Sequence, residues 1–504
     1  MPATLVAYGS LRSLATLPWQ FIVRVYRGGL NTRNIPTLVF NFALNFFPVF
    51  IWLCVFKNAG LIPTSWRPLI HSKLAFLADA FMFGDSAGEL HAQYGDSASE
   101  ILRPLSWVSA ALFAVLVCTV LPVSLWYYLY YCRRCQTNVL EPYAHLFHRD
   151  YRFSPTNRRV LLPFLLLLLT FSGLNCVNLL AWQRESNFTK YKDILAWVSY
   201  VLLHLIAPIL TAVYLYVFQP PGTLKAFSLA MGAQNICGVF THLLVPMAPP
   251  WFIHMYGVHD TEHVSYDQPG YAAGLTRVDS HLGTHLNSKG FHKSPIVFGA
   301  VPSLHSAMAV QCFLFLITRA AGTKARPCII DSPITGSSFT SETESADKNP
   351  ETDPNTIELQ SLPDSSPDTS PDASLLVNAI NPVRASNPSF QYGTPVPMGA
   401  LNSKLMSIFH MALIPRCLGT AFPILQWWST MYLDHHFRFD LFIGMWYAVT
   451  SHLLVNAYYL QPRVLKRWCD LRMGITEDTR KEAKTMGMRV FEDTNVEWFF
   501  DPFA

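Results

Sequence analysis

The sequence predicts an all-α protein of the membrane, a polytopic bundle of about eight transmembrane helices interrupted by a disordered cytoplasmic insertion. Three observations carry that expectation. Of the 504 residues 51% are hydrophobic and only 14% charged, too apolar and too poor in charge for an ordinary soluble protein of this size. The apolar residues are clumped into runs of about 18 or more, the length that roughly 30 Å of hydrocarbon demands of a helix. Residues 323–403 change abruptly to Ser, Thr, Pro, Asp, Glu and Asn, a composition that cannot bury enough apolar surface to offset its ordering entropy.

Taken in order, residues 1–34 form a cytoplasmic segment with Arg12, Arg24, Arg27 and Arg33 but no signal-peptide pattern, so the first span acts as an uncleaved anchor. An N-terminal transmembrane region, 35–193, holds the spans Ile35–Phe56, Leu105–Tyr131 and Val160–Trp182. A second region, 194–322 with 404–460, holds Ile194–Phe218, Leu224–Met247, Ser303–Ala321, Leu405–Leu433 and Asp440–Leu460. Residues 461–504 make a cytoplasmic tail too short for a core of its own, with a surface helix expected near Thr476 to Met488. Lipid offers the backbone no water, so every span should be a helix.

Orientation follows from the basic residues, which favour cytoplasmic loops. Arg24 to Arg33, the cluster Arg133, Arg134, Arg152, Arg158 and Arg159, the pair Lys324 and Arg326, and Arg463 to Arg472 all fall on one side if there are eight spans. Both termini are then cytoplasmic, and the sequon at Asn187 faces the lumen as a glycosylation candidate. A net charge of +4 with no basic stripe excludes a nucleic-acid partner. Ten scattered cysteines argue against a disulfide framework, and Cys132 and Cys135 read as free juxtamembrane thiols, with lipidation or metal binding as the alternative.

Two islands break the apolar pattern at span ends. In Trp427 to Gly444, helical spacing would put His436 and Asp440 on one face, so that the carboxylate orients one ring nitrogen and leaves the other free, the arrangement of an oriented nucleophile or base. In Phe298 to Ser306, His305 sits at the mouth of another span. Ionisable groups at such depth read as functional, with a structural histidine bonded to a neighbour as the competing reading. The loop between Met247 and Ala300 holds His254, His259, His263, His281, His285 and His292, but at spacings that match no standard ligand set, so no metal and no cofactor is expected.

Together the islands resemble the type 2 phosphatidic acid phosphatase superfamily, with its Pro-Ser-x-His element and its Ser-Arg-x5-His-x3-Asp element. The first reads Pro302-Ser303-Leu304-His305; the second reads Ser429-Thr430, then five residues to His436 and three more to Asp440, with Thr430 where the arginine stands. Within it the chain is most similar to the fungal inositol phosphorylceramide synthase (aureobasidin-resistance) family. The likeness lies in residues 246–252 (PMAPPWF), 274–279 (GLTRVD), 298–306 (FGAVPSLHS) and 428–436 (WSTMYLDHH), within a similar stretch from Ile194 to Leu460.

The resemblance implies a Golgi enzyme with a luminal site that moves inositol phosphate from phosphatidylinositol to ceramide, with a small regulatory membrane subunit as a possible partner. It implies His436 as nucleophile held by Asp440, and His305 as proton donor and then acceptor. Ser303, His435, Arg277 and Lys293 are the substrate-binding candidates, with Arg438 also considered; Arg277 either binds phosphate or pairs with Asp279. A lipid or prenyl phosphate phosphohydrolase, a relative acting on another lipid, and a non-catalytic membrane scaffold are the competing functions.

Overall fold

The computed structural model describes residues 18–31, 33–83, 188–319, 413–472 and 476–502. The expected spans Leu105–Tyr131 and Val160–Trp182, the sequon at Asn187, Cys132, Cys135 and the 323–403 insertion lie outside the described residues. All described secondary structure is helical apart from isolated bridges of Met247 with His71 and Gly299.

Helix α1 covers residues 18–30. Helix α2, Ile35–Asn58, begins where the Asn34 side chain accepts the Thr37 N–H, satisfying one of the orphan donors of a helix start. No side chain of α2 is buried, and Phe40, Phe47 and Phe50 are exposed along it. Such a face would be untenable in water over this length and suits lipid. Helix α3 is Leu74–Phe83.

The continuous run Lys190–Phe218, here α4, starts under a Thr189 cap and contains Pro208. Proline has no N–H to give the preceding turn, and just upstream Val198–Leu203 widens into a π turn in which the His204 N–H reaches the Ser199 carbonyl. The segment Ile35–Leu61 and α4 are the two described helices long and apolar enough to cross a membrane.

Helix α5, Thr223–Leu244, packs on α2 at Gly232, where a Cβ would stand 2.6 Å from the Pro48 Cβ. After it come three short helices, α6 (Pro250–Tyr256), α7 (Leu275–Leu282) and α8 (Leu286–His292). Three long helices complete the bundle among the described residues: α9 (Leu304–Arg319), α10 (Leu413–Tyr432) and α11 (Arg438–Val455), the last continuing as a π segment, Asn456–Leu465, and then α12 (Lys466–Arg472). Helix α9 packs against α4, α10 and α11, so it is the centre of the bundle.

The tail makes a short helix α13, Met486–Val490, shorter and later than the helix expected from its sequence. It packs back on α1: the Arg24 guanidinium donates to the Val490 carbonyl at 3.4 Å, and Arg33 pairs with Glu482 at 3.3 Å. One end of the bundle therefore gathers α1 and the tail. The other gathers the start of α4, the end of α5, the start of α9 and the α10–α11 turn.

Candidate active site

The loop between α5 and α9 covers that second end. Its Pro-rich element is pinned to the Phe298-Gly-Ala element by the Met247 N–H to the Phe298 carbonyl, 2.8 Å, and by the Ala300 N–H to the Met247 carbonyl, 3.2 Å. Asp279 holds α7 to α8, accepting from Thr284, Asn287 and Ser288 at 2.8 to 3.3 Å. Burial would raise its carboxyl, but those donors outweigh it and hold the group down to about 2. Arg277 does not pair with Asp279: its Nε lies 3.0 Å from Asp193 on α4, which His281 also meets at 3.0 Å. The guanidinium of Arg277 stacks over Phe188 at 3.7 Å, so this cluster ties the covering loop to α4.

Ser303 is buried, and its Oγ accepts the Ser306 N–H at 3.3 Å, the local cap that starts α9. His305 follows as the second residue of that helix, which aims it at the bundle's end. Opposite, α10 stops where Asp434 turns left-handed at φ 65°, a conformation that Asp tolerates better than most residues. The Asp434 carboxylate pairs with His254 of α6 at 2.8 Å.

His436 does not share a helix face with Asp440 as the spacing suggests, because α11 begins only at Arg438. The pair forms by another route. Asp440 is the third residue of α11 and reaches back over its start, accepting the Phe437 N–H at 2.9 Å with the same Oδ2 that lies 3.3 Å from His436 Nδ1. One carboxylate oxygen thus caps the helix and holds the imidazole. The ring centroids of His305 and His436 are 5.6 Å apart.

Two groups on α4 complete the aromatic packing, and neither was singled out from the sequence. Tyr200 stacks on His305 at 4.2 Å and on His435 at 4.8 Å, and the His204 ring lies 4.2 Å from His305. They lie at the π turn, a feature often found at functional sites. His242 of α5 also approaches, its Nε2 2.8 Å from the Pro302 carbonyl oxygen. No local spacing could have flagged these three, since each meets the site only through packing. A cavity of about 160 Å³ opens among His242, His305, His435, His436, Pro249 and Trp251.

The remaining candidates separate. His435 is buried between Tyr200 and Phe291, and its Nε2 has no hydrogen-bond partner among the described residues. Lys293 is exposed beyond the end of α8 and does not line the cavity. Arg438 turns away into a buried pair with Asp79 of α3, Nη2 to Oδ2 2.8 Å, and Asp79 also accepts the Phe439 N–H at 3.0 Å. Thr430 bonds back to the Trp427 carbonyl at 2.9 Å within its own helix. Among the described residues, the cavity lining therefore offers imidazoles and no guanidinium. Burial pushes the His436 ring down to about 4, against the Ala300 carbonyl, and burial with the neighbouring His436 pushes His435 down to about 3. Both rings are then neutral at ordinary pH, with nitrogen lone pairs available.

Paired histidines at the end of an all-helical bundle define the class. The protein carries the PAP2 superfamily region, matched by that family's model over residues 165–333, a match that stops short of the His436 element. Inositolphosphotransferase 1 of Saccharomyces cerevisiae is 49% identical over 534 residues, covering 96% of this chain and 98% of the relative. The chain belongs to that family, the inositol phosphorylceramide synthase family of the PAP2 superfamily. The inositol phosphorylceramide synthase catalytic subunit of Schizosaccharomyces pombe is 42% identical over 124 residues, 25% of this chain and 29% of that one. A phosphoinositol dihydroceramide synthase of Bacteroides thetaiotaomicron is 32% identical over 125 residues, 25% and 39% of the two chains. No solved structure matches.

Proposed function

We propose that this membrane protein transfers inositol phosphate from phosphatidylinositol to the primary hydroxyl of ceramide through a phosphohistidine. The observation that carries the reading is the 5.6 Å approach of His305 to the carboxylate-backed His436 in a chain related along its whole length to an inositolphosphotransferase.

In the first step His436 Nε2 attacks phosphorus and the bond to the diacylglycerol oxygen breaks, with His305, entering as the imidazolium, giving that oxygen its proton and becoming neutral. The positive charge on the phosphorylated imidazole is met by Asp440. In the second step His305 takes the proton of the acceptor hydroxyl, whose oxygen attacks phosphorus; the P–N bond breaks and both histidines return to their starting state. A phosphodiester carries one negative charge where a monoester carries nearly two, which suits a cavity lined by neutral imidazoles such as His435 in place of arginines. Ser303, Arg277 and Arg438 support the site by capping and pairing.

The catalytic bundle in this reading is 194–322 with 404–460, within eight spans of a Golgi membrane, both termini cytoplasmic and the histidines luminal. The contact of α1 with the tail, at the end of the bundle away from the histidines, supports that arrangement.

Phosphatidylinositol labelled in its inositol, supplied to the full-length protein with and without ceramide, tests the reading. Labelled product appearing only with ceramide is expected, and headgroup release that ignores ceramide would overturn it. His305→Ala and His436→Ala should each abolish transfer in normally folded protein. One observation favours a second reading, in which the acceptor is another sphingolipid. The relative matched end to end has a name that specifies the transferred group alone, whereas the S. pombe synthase matches only a quarter of the chain. Running the assay with a headgroup-bearing sphingolipid beside ceramide separates the two.

A further inference from the structure

A groove of about 670 Å³ runs along the bundle below the histidines, within the roughly 300–1,000 Å³ typical of ligand sites. Its walls come from the three helices that frame the site: Leu203 and Ala207 of α4, Cys312 of α9, Ala421 and Leu425 of α10. Among its lining residues, Thr211 spends its hydroxyl on the Ala207 carbonyl, 2.8 Å, and apart from it, Tyr214, Gln219 and Asp501 the lining side chains are apolar. The upper end begins at Leu203, next in sequence to His204, whose ring lies 4.2 Å from His305. The lower end is Phe499 and Phe500 of the tail, and Phe500 is fixed by stacking on Phe218 at 5.1 Å and on Phe491 at 4.7 Å. From Leu203 to Phe218 the helical rise gives about 22 Å. That exceeds the roughly 15 Å of hydrocarbon in one leaflet, half the bilayer core. Leu210 and Leu418 stand exposed at its edges, so the groove opens towards the surrounding lipid.

We infer that this groove holds the long hydrocarbon chain of the acceptor lipid, with its hydroxyl presented at His305 and its chain end against the tail aromatics. The inference rests on the transferase reading above and adds what that reading lacks. A transferase has to place a lipid hydroxyl beside His305 instead of water, and an apolar groove that begins at Leu203, next to His204, does so by admitting only a molecule with a long chain. The tail then measures chain length.

Two measurements on the full-length protein in detergent–lipid micelles test this. A ceramide carrying a diazirine at its chain end is photolysed and the adducts mapped by mass spectrometry. Adducts on Leu418 and on the segment Phe499 to Pro502, competed by unlabelled ceramide, are expected. Adducts that unlabelled ceramide does not compete, which would mark bulk lipid, or adducts from a diazirine phosphatidylinositol alone, would overturn it. This readout needs no turnover, so competed adducts without any transfer would sink the proposed reaction and leave the groove standing.

The second measurement is the acceptor chain-length profile. Ala421→Phe fills the groove from an exposed wall position and should disfavour the longest acceptors about tenfold, equivalent to displacing two methylenes. Phe499→Ala should shift the profile towards longer chains. Unchanged profiles in both variants, with transfer intact, would refute the assignment.

Discussion

Asp79 is the residue whose removal tests most directly how the site is held together. It is 0% exposed, its partner Arg438 is 1% exposed, and the two sit at the junction of α3 with the first turn of α11. The carboxylate takes Arg438 Nη2 at 2.8 Å, Arg438 Nε at 3.3 Å and the Phe439 N–H at 3.0 Å. Asp79→Ala takes the carboxylate away from a buried guanidinium, a loss of about 3–5 kcal/mol when one partner of a buried pair is removed. Against a total stability of order 5–15 kcal/mol that is a large fraction. Arg438→Met should cost a similar amount by stranding the carboxylate. The double variant Asp79→Leu with Arg438→Met, which removes both charges and keeps apolar volume, should recover to within about 1–2 kcal/mol of wild type. Denaturant unfolding in detergent, followed by tryptophan fluorescence, reads all three. Additive losses in the double variant would refute the argument that the pair is held by mutual compensation. Because Arg438 lies two residues past His436, the single variants should also lose transfer activity before they unfold.

Four further outcomes follow. A Cβ on Gly444 would intrude on the Ser303 carbonyl oxygen, so Gly444→Ala should push α11 from the start of α9 and cut kcat more than KM; a wild-type kcat would show that the contact relaxes freely. The His436 ring, held near 4 against an ordinary 6.5, stays neutral as pH falls, so the acid limb of kcat/KM should have its midpoint nearer 4 than 6.5. Its contribution to stability has the corresponding sign: full above pH 6.5, and lost as pH falls from there towards 4, which unfolding measured across that window detects. Asp193→Asn frees Arg277 and His281 and should lower the melting temperature while leaving the kcat of folded protein within about twofold; a large kcat loss would show that Arg277 serves the phosphate.

Arg277 and Arg438 have the type and neighbourhood of anion ligands, and each pairs with a carboxylate, Asp193 and Asp79 respectively, whereas Ser303 accepts the Ser306 N–H in the first turn of α9 and keeps its O–H to donate. A cation's partner is not written beside it, and Asp79 is separated from Arg438 by 359 positions. The His436–Asp440 contact shows the reverse case. The helical premise behind it fails, yet the contact forms, because a carboxylate three residues into a helix reaches back to its start.

By itself the sequence determined what short-range chemistry can specify. It set the helical, membrane-suited composition, the placement of His305 just inside a capped helix start, and the tethering of His436 within reach of Asp440, since four residues of chain leave little room to do otherwise. Only the tertiary structure decided which distant groups share the site and which do not. It brought Tyr200, His204 and His242 to the rings, took the arginines away from them, and left a groove between α4, α9 and α10. Those outcomes depend on how helices dock side by side, where packing and buried charge compensation act across hundreds of residues and no local pattern records the result.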